Sequence, residues 1–208
     1  ISTTSPYDSL VFYLNFDRDT IDTYLPVWKA TDWTQQSNDG STGGNVTINT
    51  SIVCPYDNCA YFNGNTNSYI TFSLDDAFNF TGNATVMLWT YYPFNSGTRD
   101  YYLGVNSTQV VPANSQPFYW YRGDAQTYLR TTFYNSTGGV MSLMDSTNSI
   151  RTPSGANNLT SGWHHVALVF NGTSLILYYD GAFDEQRASF GTSIAPMTSL
   201  NWRISSYH

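Results

Sequence analysis

The chain has 208 residues, of which 41% are hydrophobic, and its pattern is uniform from end to end, which favours a single domain. The formal net charge is −7 and Lys29 is the only lysine, which excludes the clustered basic residues that bind nucleic acids or anionic membranes. Aromatic residues reach 17%, which favours β-strands, and no apolar run approaches the ~18 residues of a membrane span.

The first fifty residues predict an arm, a strand and a loop. Residues 1–9 show no strand pattern, and we expect them to form an arm that contacts a neighbouring subunit, ahead of one domain over residues 10–208. The alternating apolar residues of Leu10–Phe16 predict the first strand. The polar stretch from Thr31 to Thr50 is rich in Asn, Gly, Ser and Thr, and it predicts a long loop.

Two cysteines follow this loop. Cys54 and Cys59 are separated by Pro55 and an Asp-Asn pair, which favour a turn, so a small disulfide-closed turn is expected. Two free core thiols are the alternative. A zinc site is not expected, because two further ligands at a suitable spacing are missing.

Eleven further strands are predicted after the cysteines, each bounded by Gly, Asn, Ser or Pro clusters. Asn171-Gly172 and Asp180-Gly181 can supply the positive φ angles of tight hairpin turns. Twelve short strands in all predict two stacked sheets. The eleven are Ala60–Phe62, Tyr69–Phe72, Thr85–Tyr92, Tyr101–Val105, Phe118–Tyr121, Tyr128–Tyr134, Val140–Leu143, Trp163–Phe170, Ser174–Tyr179, Ala182–Arg187 and Leu200–Ser205.

N-glycosylation sequons are frequent in this sequence. Eight are present, roughly twice the number that the Asn, Ser and Thr content gives by chance. Covalent N-glycans and a eukaryotic secretory route are therefore expected, and a merely Asn-rich polar surface is the alternative. The sequon asparagines are Asn45, Asn49, Asn79, Asn83, Asn106, Asn135, Asn158 and Asn171.

Five segments occur in the order and spacing of a known family. The run CAYFNGNTNSYITF at Cys59–Phe72 is followed by TVMLWTY at Thr85–Tyr91, GWHHVALVFNG at Gly162–Gly172 and LILYYDG at Leu175–Gly181. Together with Leu10–Asp17 they resemble laminin-G-like domains of the concanavalin A-like lectin/glucanase type, over nearly all of residues 10–205. The resemblance implies an all-β fold, a two-sheet antiparallel jelly-roll sandwich.

One departure from the family bears on assembly. Members usually continue beyond the strand at Leu200–Ile204 into a final strand that closes the sheet, whereas this sequence ends at His208. An exposed sheet edge would then be available for pairing with another chain. We therefore expect self-association into an oligomer or filament by strand addition.

The resemblance also implies a candidate metal site. Laminin-G-like domains often hold one calcium ion, and Asp17, Asp19 and Asp22 lie close together with oxygen ligands of the right hardness. Structural calcium is thus the candidate cofactor. A solvated acidic strand end is the alternative.

Aromatic residues provide a candidate ligand surface. Tyr119, Trp120, Tyr121 and Arg122, with Tyr91 and Tyr92, could form a platform on which sugar rings stack. The alternative is that these side chains pack within the sandwich.

Catalysis is not expected, and no catalytic residue is assigned. Glycosidases of this superfamily need two carboxylates about 5 Å apart. Glu185 is the only glutamate, and Asp184 beside it must point to the opposite face of a strand. His164 and His165 lie within a strand pattern, where we expect one to be packed and the other to lie at the surface.

Three functional hypotheses follow. The sequence favours a non-catalytic, secreted glycoprotein domain that is a structural subunit of an extracellular filament, sheath or surface coat. The alternative is an adhesion module that binds a glycan or an extracellular protein. An enzyme is the third hypothesis and lacks its paired carboxylates.

Overall fold

The described part of the chain is entirely composed of strands and their connections. A computed structural model describes residues 12–16, 29–34, 38–44, 46–49, 53–62, 68–73, 83–92, 100–105, 119–122, 129–134, 140–144, 162–172, 174–188 and 201–205. Among these residues no helix has the length and hydropathy needed to cross a membrane.

Fourteen strands are formed by these residues. They are β1 (Lys29–Ala30), β2 (Gly40–Gly43), β3 (Val46–Asn49), β4 (Cys59–Phe62), β5 (Tyr69–Ser73), β6 (Ala84–Tyr92), β7 (Asp100–Val105), β8 (Tyr119–Arg122), β9 (Leu129–Tyr134), β10 (Val140–Met144), β11 (Gly162–Phe170), β12 (Ser174–Tyr179), β13 (Ala182–Ala188) and β14 (Asn201–Ser205).

All strand pairs are antiparallel, as the jelly-roll prediction requires. The larger sheet has eight strands in the order β1-β2-β5-β14-β7-β8-β9-β10, the smaller has four in the order β13-β12-β11-β6, and β3 pairs with β4. Non-consecutive neighbours such as β5, β14 and β7 show that the chain crosses between sheets repeatedly. Because β14 is paired on both sides, the last predicted strand is not an edge strand.

The core lies between the two large sheets. Phe72, Ile70 and Trp202 from the eight-stranded sheet and Leu175 and Leu177 from β12 are the largest fully buried side chains. They alternate along their strands with residues that face solvent, so each strand contributes one face to the core. Burying each of the aliphatic side chains contributes roughly 2 kcal/mol.

The turn prediction is confirmed in full at Asp180-Gly181, whereas at Asn171-Gly172 only the glycine has a positive φ. Gly172 has a φ of 85°, and Asp180 and Gly181 have φ values of 48° and 79°. Two successive positive φ angles match the twist of paired strands, which explains the Asp-Gly dipeptide between β12 and β13. The amide of Asn171 donates to the carbonyl of Ser174 at 3.1 Å and closes the other hairpin.

The strand predicted at Leu10–Phe16 is wrong in its described part, residues 12–16, which forms no ladder. The Tyr13 amide instead donates to Asp32 Oδ1 at 3.0 Å, and the Tyr13 carbonyl accepts from the Trp33 amide at 3.0 Å. Phe16 has a φ of 58°, which is incompatible with a strand. The apolar alternation nevertheless reflects packing, since the Phe12 ring lies 4.6 Å from the Phe72 ring.

The long loop predicted from Thr31 to Thr50 is also wrong, because it contains β2 and β3. The glycines there allow close packing. A Cβ atom on Gly40 would lie 2.6 Å from Ile70 Cγ2, and one on Gly43 would overlap the Tyr69 ring. Gly40 and Gly43 pair directly with Phe72 and Tyr69, so the glycines let these large neighbours lie over β2.

A buried carboxylate ties the Tyr13 segment to the residues after β1. Asp32 is only 5% exposed, and its oxygens accept from the amides of Tyr13, Thr34 and Asn38 and from the Thr34 hydroxyl, at 2.7–3.0 Å. Burial alone would raise the pKa of Asp32. The hydrogen bonds from Thr34, Tyr13 and Asn38 outweigh burial and hold this pKa below its ordinary value.

Substitution of Asp32 tests this connection. Asp32→Asn is expected to lower the free energy of unfolding by about 1–3 kcal/mol, because a neutral amide accepts fewer of these hydrogen bonds. Since the folded-state pKa is lowered, the ionised carboxylate stabilises the wild type above the unfolded-state pKa of about 3.9, and this contribution is lost as the pH falls through the folded-state pKa. Denaturant unfolding at neutral pH and below pH 4 measures both effects.

The exposed Asp57 provides the control. Asp57→Asn should leave the free energy of unfolding at neutral pH close to that of the wild type. Equal stability of Asp32→Asn and wild type at neutral pH would contradict the role given to Asp32.

Candidate functional site

Large aromatic side chains cover the solvent side of the four-stranded sheet. In β6, Met87, Trp89 and Tyr91 are 60%, 44% and 36% exposed, whereas the intervening Val86 and Leu88 pack against the core. Soluble proteins rarely expose contiguous apolar surface of this kind without a ligand or partner. We call Tyr56, Trp89, Tyr91, Trp163 and His165 the aromatic face.

The pairing of β6 with β11 sets the spacing of its rings. His165 lies opposite Trp89 and Trp163 lies opposite Tyr91 in the antiparallel register. The Trp89 and His165 ring centroids are 5.3 Å apart at 60°, and those of Tyr91 and Trp163 are 5.5 Å apart at 69°. Because each pair is tilted or edge-to-face, the rings support one another and are held in fixed orientations.

A disulfide loop (residues 53–58) borders this surface. Cys54 and Cys59 are joined by a disulfide, as the sequence predicts. The loop presents Tyr56, which is 72% exposed and stands edge-to-face on Trp89 with 6.5 Å between ring centroids. The indole nitrogen of Trp163 donates to the Val53 carbonyl at 2.6 Å, so the loop is attached to β11.

Asp180 contacts both histidines of β11. Its Oδ2 lies 2.8 Å from Nδ1 of His164, and its Oδ1 accepts from the His165 amide at 2.8 Å. Its own amide donates to the His165 carbonyl at 2.8 Å. His164 is buried and stacks on Tyr179 with ring centroids 4.8 Å apart, while His165 on the other face is partly exposed.

The aromatic face presents flat rings with hydrogen-bonding groups at their edges. Trp, Tyr and His each carry a polar atom at the ring edge. Across the part of the chain that the structure describes, no three His, Cys, Asp or Glu side chains are grouped closely enough to hold a metal ion. Asp184 is the extra residue of a β-bulge in β13, since Leu177 pairs with Glu185 and Tyr178 pairs with Phe183, so the regular alternation expected for Asp184 and Glu185 is interrupted there.

The predicted calcium and platform residues are only partly within the structure. Asp17, Asp19 and Asp22 lie outside the described residues, as does the arm at residues 1–9. Trp120, Tyr121 and Arg122 belong to β8, where Trp120 pairs with the buried Leu103. The side chains of these three residues lie outside the described part, so the platform on β8 stays a prediction.

Two sequon asparagines lie together at one end of the four-stranded sheet. Asn83 and Asn171 are exposed and flank the pair formed by Ala84 and Phe170. Asn171 Oδ1 also accepts from the Ser174 amide at 2.7 Å, which ties this sequon to the hairpin. Asn49 lies in β3, and the remaining sequons, Asn45, Asn79, Asn106, Asn135 and Asn158, lie outside the described residues.

Of the aromatic face, only Tyr91 was predicted from the sequence as a ligand-binding residue. The missing signal was the alternation of Thr85–Tyr92, in which aliphatic Val86 and Leu88 alternate with Trp89 and Tyr91. The smaller aliphatic set is the one buried, which leaves the larger rings for the solvent side. Tyr56 could not be assigned to this surface from sequence, because only the folded loop brings it to Trp89.

A laminin G family model described as "Concanavalin A-like lectin/glucanases superfamily" matches residues 63–206. No curated protein sequence matches the chain. The chain spans less than half the length of the solved structures described below, and the low identities make these matches informative about the fold alone.

Three solved structures have similar folds. The binding domain of Paraclostridial Mosquitocidal Protein 1 has a TM-score of 0.69 at 16% identity, with 95% of this chain and 44% of that one covered. The botulinum neurotoxin serotype D binding domain has a TM-score of 0.68 at 14% identity, with 97% and 44% covered. A serotype D ligand binding domain in complex with N-acetylneuraminic acid has a TM-score of 0.62 at 14% identity, with 86% and 40% covered.

Removal of the disulfide should loosen the loop without unfolding the sandwich. The double substitution Cys54→Ser/Cys59→Ser is expected to lower the free energy of unfolding by about 2 kcal/mol, because a short chain loop is no longer closed in the unfolded state. The indole proton of Trp163 should then exchange faster, as measured by NMR. Trp163→Phe is the control, because it retains an aromatic ring and the disulfide but lacks the N–H that donates to the Val53 carbonyl. Unchanged exchange of the Trp163 indole proton in the double variant would contradict the link.

Proposed function

Because the chain belongs to the concanavalin A-like lectin/glucanases superfamily, we propose that it is a non-catalytic extracellular module that binds carbohydrate through the aromatic face. The observation that carries this proposal is the set of exposed, mutually supported rings centred on Trp89. Their arrangement is fixed before any ligand binds, so little ordering entropy opposes binding.

The chemistry of the aromatic face suits a sugar. The C–H groups on one side of a pyranose ring form an apolar patch that stacks on a flat aromatic ring, while its hydroxyls seek hydrogen bonds at the ring's edge. Trp89 and Tyr91 present flat surfaces, and the Tyr91 hydroxyl and His165 ring provide edge groups. Tyr56 stands nearly perpendicular to Trp89 and forms a wall beside that surface.

Comparison with the solved structures supports a binding role. Those described above are binding domains, and one was solved with N-acetylneuraminic acid. No two described carboxylates lie together on the aromatic face, where glycosidic cleavage would need a pair of them. The proposal is therefore recognition of a glycan without its hydrolysis.

An extracellular setting agrees with two further features. The Cys54–Cys59 disulfide is typical of proteins from oxidising compartments. N-glycans on Asn83 and Asn171 would stand at the Ala84 end of β6, about seven residues and roughly 20 Å along the strand from Tyr91. Glycosylation at these asparagines would thus leave the aromatic face accessible.

Self-association by strand addition is the second candidate function. Among the described strands β6, nine residues long, is paired with β11 on one side only, and an unpaired edge of this length is a template for another chain. Sedimentation velocity and electron microscopy of the purified protein address it. Concentration-dependent oligomers or filaments would support a structural subunit, and a monomer at all concentrations would exclude it.

Glycan binding is tested by a glycan array followed by calorimetry on the best ligand. Trp89→Ala is expected to weaken binding at least about tenfold, equivalent to about 1.4 kcal/mol, because the stacking surface is lost. Trp33→Ala is the matched control, since Trp33 is also exposed, at 52%, but lies outside the four-stranded sheet. A folded domain that binds no glycan, or that binds equally well with and without Trp89, would disprove the proposed function.

A further inference from the structure

Arg203 occupies the centre of the eight-stranded sheet, on its solvent side. Its neighbours along β14, Trp202 and Ile204, pack into the core, so Arg203 points the other way. In the ladder it lies between Thr71 of β5 and Gly104 of β7. Neither neighbour carries an acidic group that could neutralise the guanidinium.

The guanidinium lies over an aromatic ring. Its central carbon lies 3.8 Å above the centre of the Tyr69 ring, which is a cation–π contact. Burial lowers the pKa of Arg203 below its ordinary value, and the electrostatic interaction with Tyr69 acts in the opposite direction. The side chain is therefore partly desolvated and still charged, since the guanidinium of arginine stays protonated in proteins.

The polar atoms around Arg203 are incompletely paired. Its buried Nε has no hydrogen-bond partner, and neither has the buried hydroxyl of Thr71 beside it. Among the described acidic residues, none forms an ion pair with Arg203. This is unexpected in a chain with 15 acidic and 8 basic residues, because a partly buried charge without a counterion is costly.

We propose that Arg203, on its Tyr69 support, binds an oxyanion that comes from outside the chain, either the carboxylate of an acidic sugar or a small free anion. A planar guanidinium offers parallel N–H donors that match the two oxygens of a carboxylate. The exposed Ser41, opposite Thr71 in the same row of the ladder, adds a hydroxyl for a bound sugar.

This subsite is separate from the aromatic face. The two lie on the outer faces of different sheets, with the core between them. It goes beyond the proposed function, because an anion could bind at Arg203 whether or not neutral glycans bind at Trp89. Loss of one activity therefore leaves the other measurable.

The test is an NMR titration of the intact domain, with the arginine Nε–Hε signals as reporters. The experiment is run at about 0.01 M ionic strength, where screening is weak. Glucuronic acid and glucose form a matched pair that differs in the carboxylate, and acetate and sulfate represent small anions. We expect saturable shifts of the Arg203 signal, which Arg203→Lys identifies by its disappearance, with glucuronic acid and none with glucose.

Comparison of glucuronic acid with acetate and sulfate distinguishes the two sources of the anion. Stronger binding of glucuronic acid than of acetate indicates an acidic sugar, and equal binding of glucuronic acid, acetate and sulfate indicates a small free anion. No saturable shift of Arg203 with any of these anions would overturn the proposal.

Two variants separate binding from structural support. Arg203→Gln should weaken glucuronic acid binding at least tenfold, followed through the backbone amide of residue 203, without changing ligand binding at the aromatic face. Tyr69→Leu retains the charge but removes the ring, and should weaken binding severalfold. If Arg203→Gln melts at a lower temperature but binds glucuronic acid as the wild type does, Arg203 is structural and the proposal is wrong.

Discussion

The pairing of β6 with β11 is the constraint on which the rest of the molecule depends. Nine residue pairs run from Gly162 opposite Tyr92 to Phe170 opposite Ala84. Side chains alternate between faces along a strand, so this register groups Val166, Leu168 and Phe170 on the core face and the rings of both strands on the outer face. A shift by one residue would exchange the two sets and bury polar groups in the core. The hydrophobic core and the aromatic face are thus two consequences of one ladder.

β11 also positions the elements around that ladder. At one end the Trp163 indole holds the disulfide loop, and the neighbouring histidines bind the Asp180 turn through a side chain and the backbone. Both attachments are hydrogen bonds to β11, so this one strand fixes the positions of the disulfide loop and of the Asp180 turn. Tyr56 is accordingly presented to Trp89 by a short closed loop rather than by a flexible one. A fixed position of Tyr56 beside Trp89 favours the binding of one ligand shape over adaptation to many.

Much of this fold can be predicted from local sequence patterns. The predictions that were wrong concern contacts between residues far apart in the chain. Alternation and Asp-Gly turns identified β11, β12 and β13, because the information lies within a few residues. The segment of residues 12–16 has the alternation of a strand, but the Asp32 carboxylate, nearly twenty residues away, binds its backbone instead. Gly40 looks like a loop residue until the ring of Phe72 is placed over it. The aromatic face could not be predicted without such distant contacts either, because the position of the other sheet decides which side of β6 is buried.

The two outer faces of the sandwich differ chemically, although the same fold produces both. One is lined by aromatic rings, and the other has Arg203 with hydroxyl-bearing neighbours. The core residues are needed to hold the sheets together, whereas residues on the outer faces can change with little effect on the fold. Structures that share 14–16% identity with this chain can therefore retain its sandwich while presenting unrelated surfaces. The two proposed binding sites accordingly lie on the outer faces, where side chains can differ between proteins that share the fold.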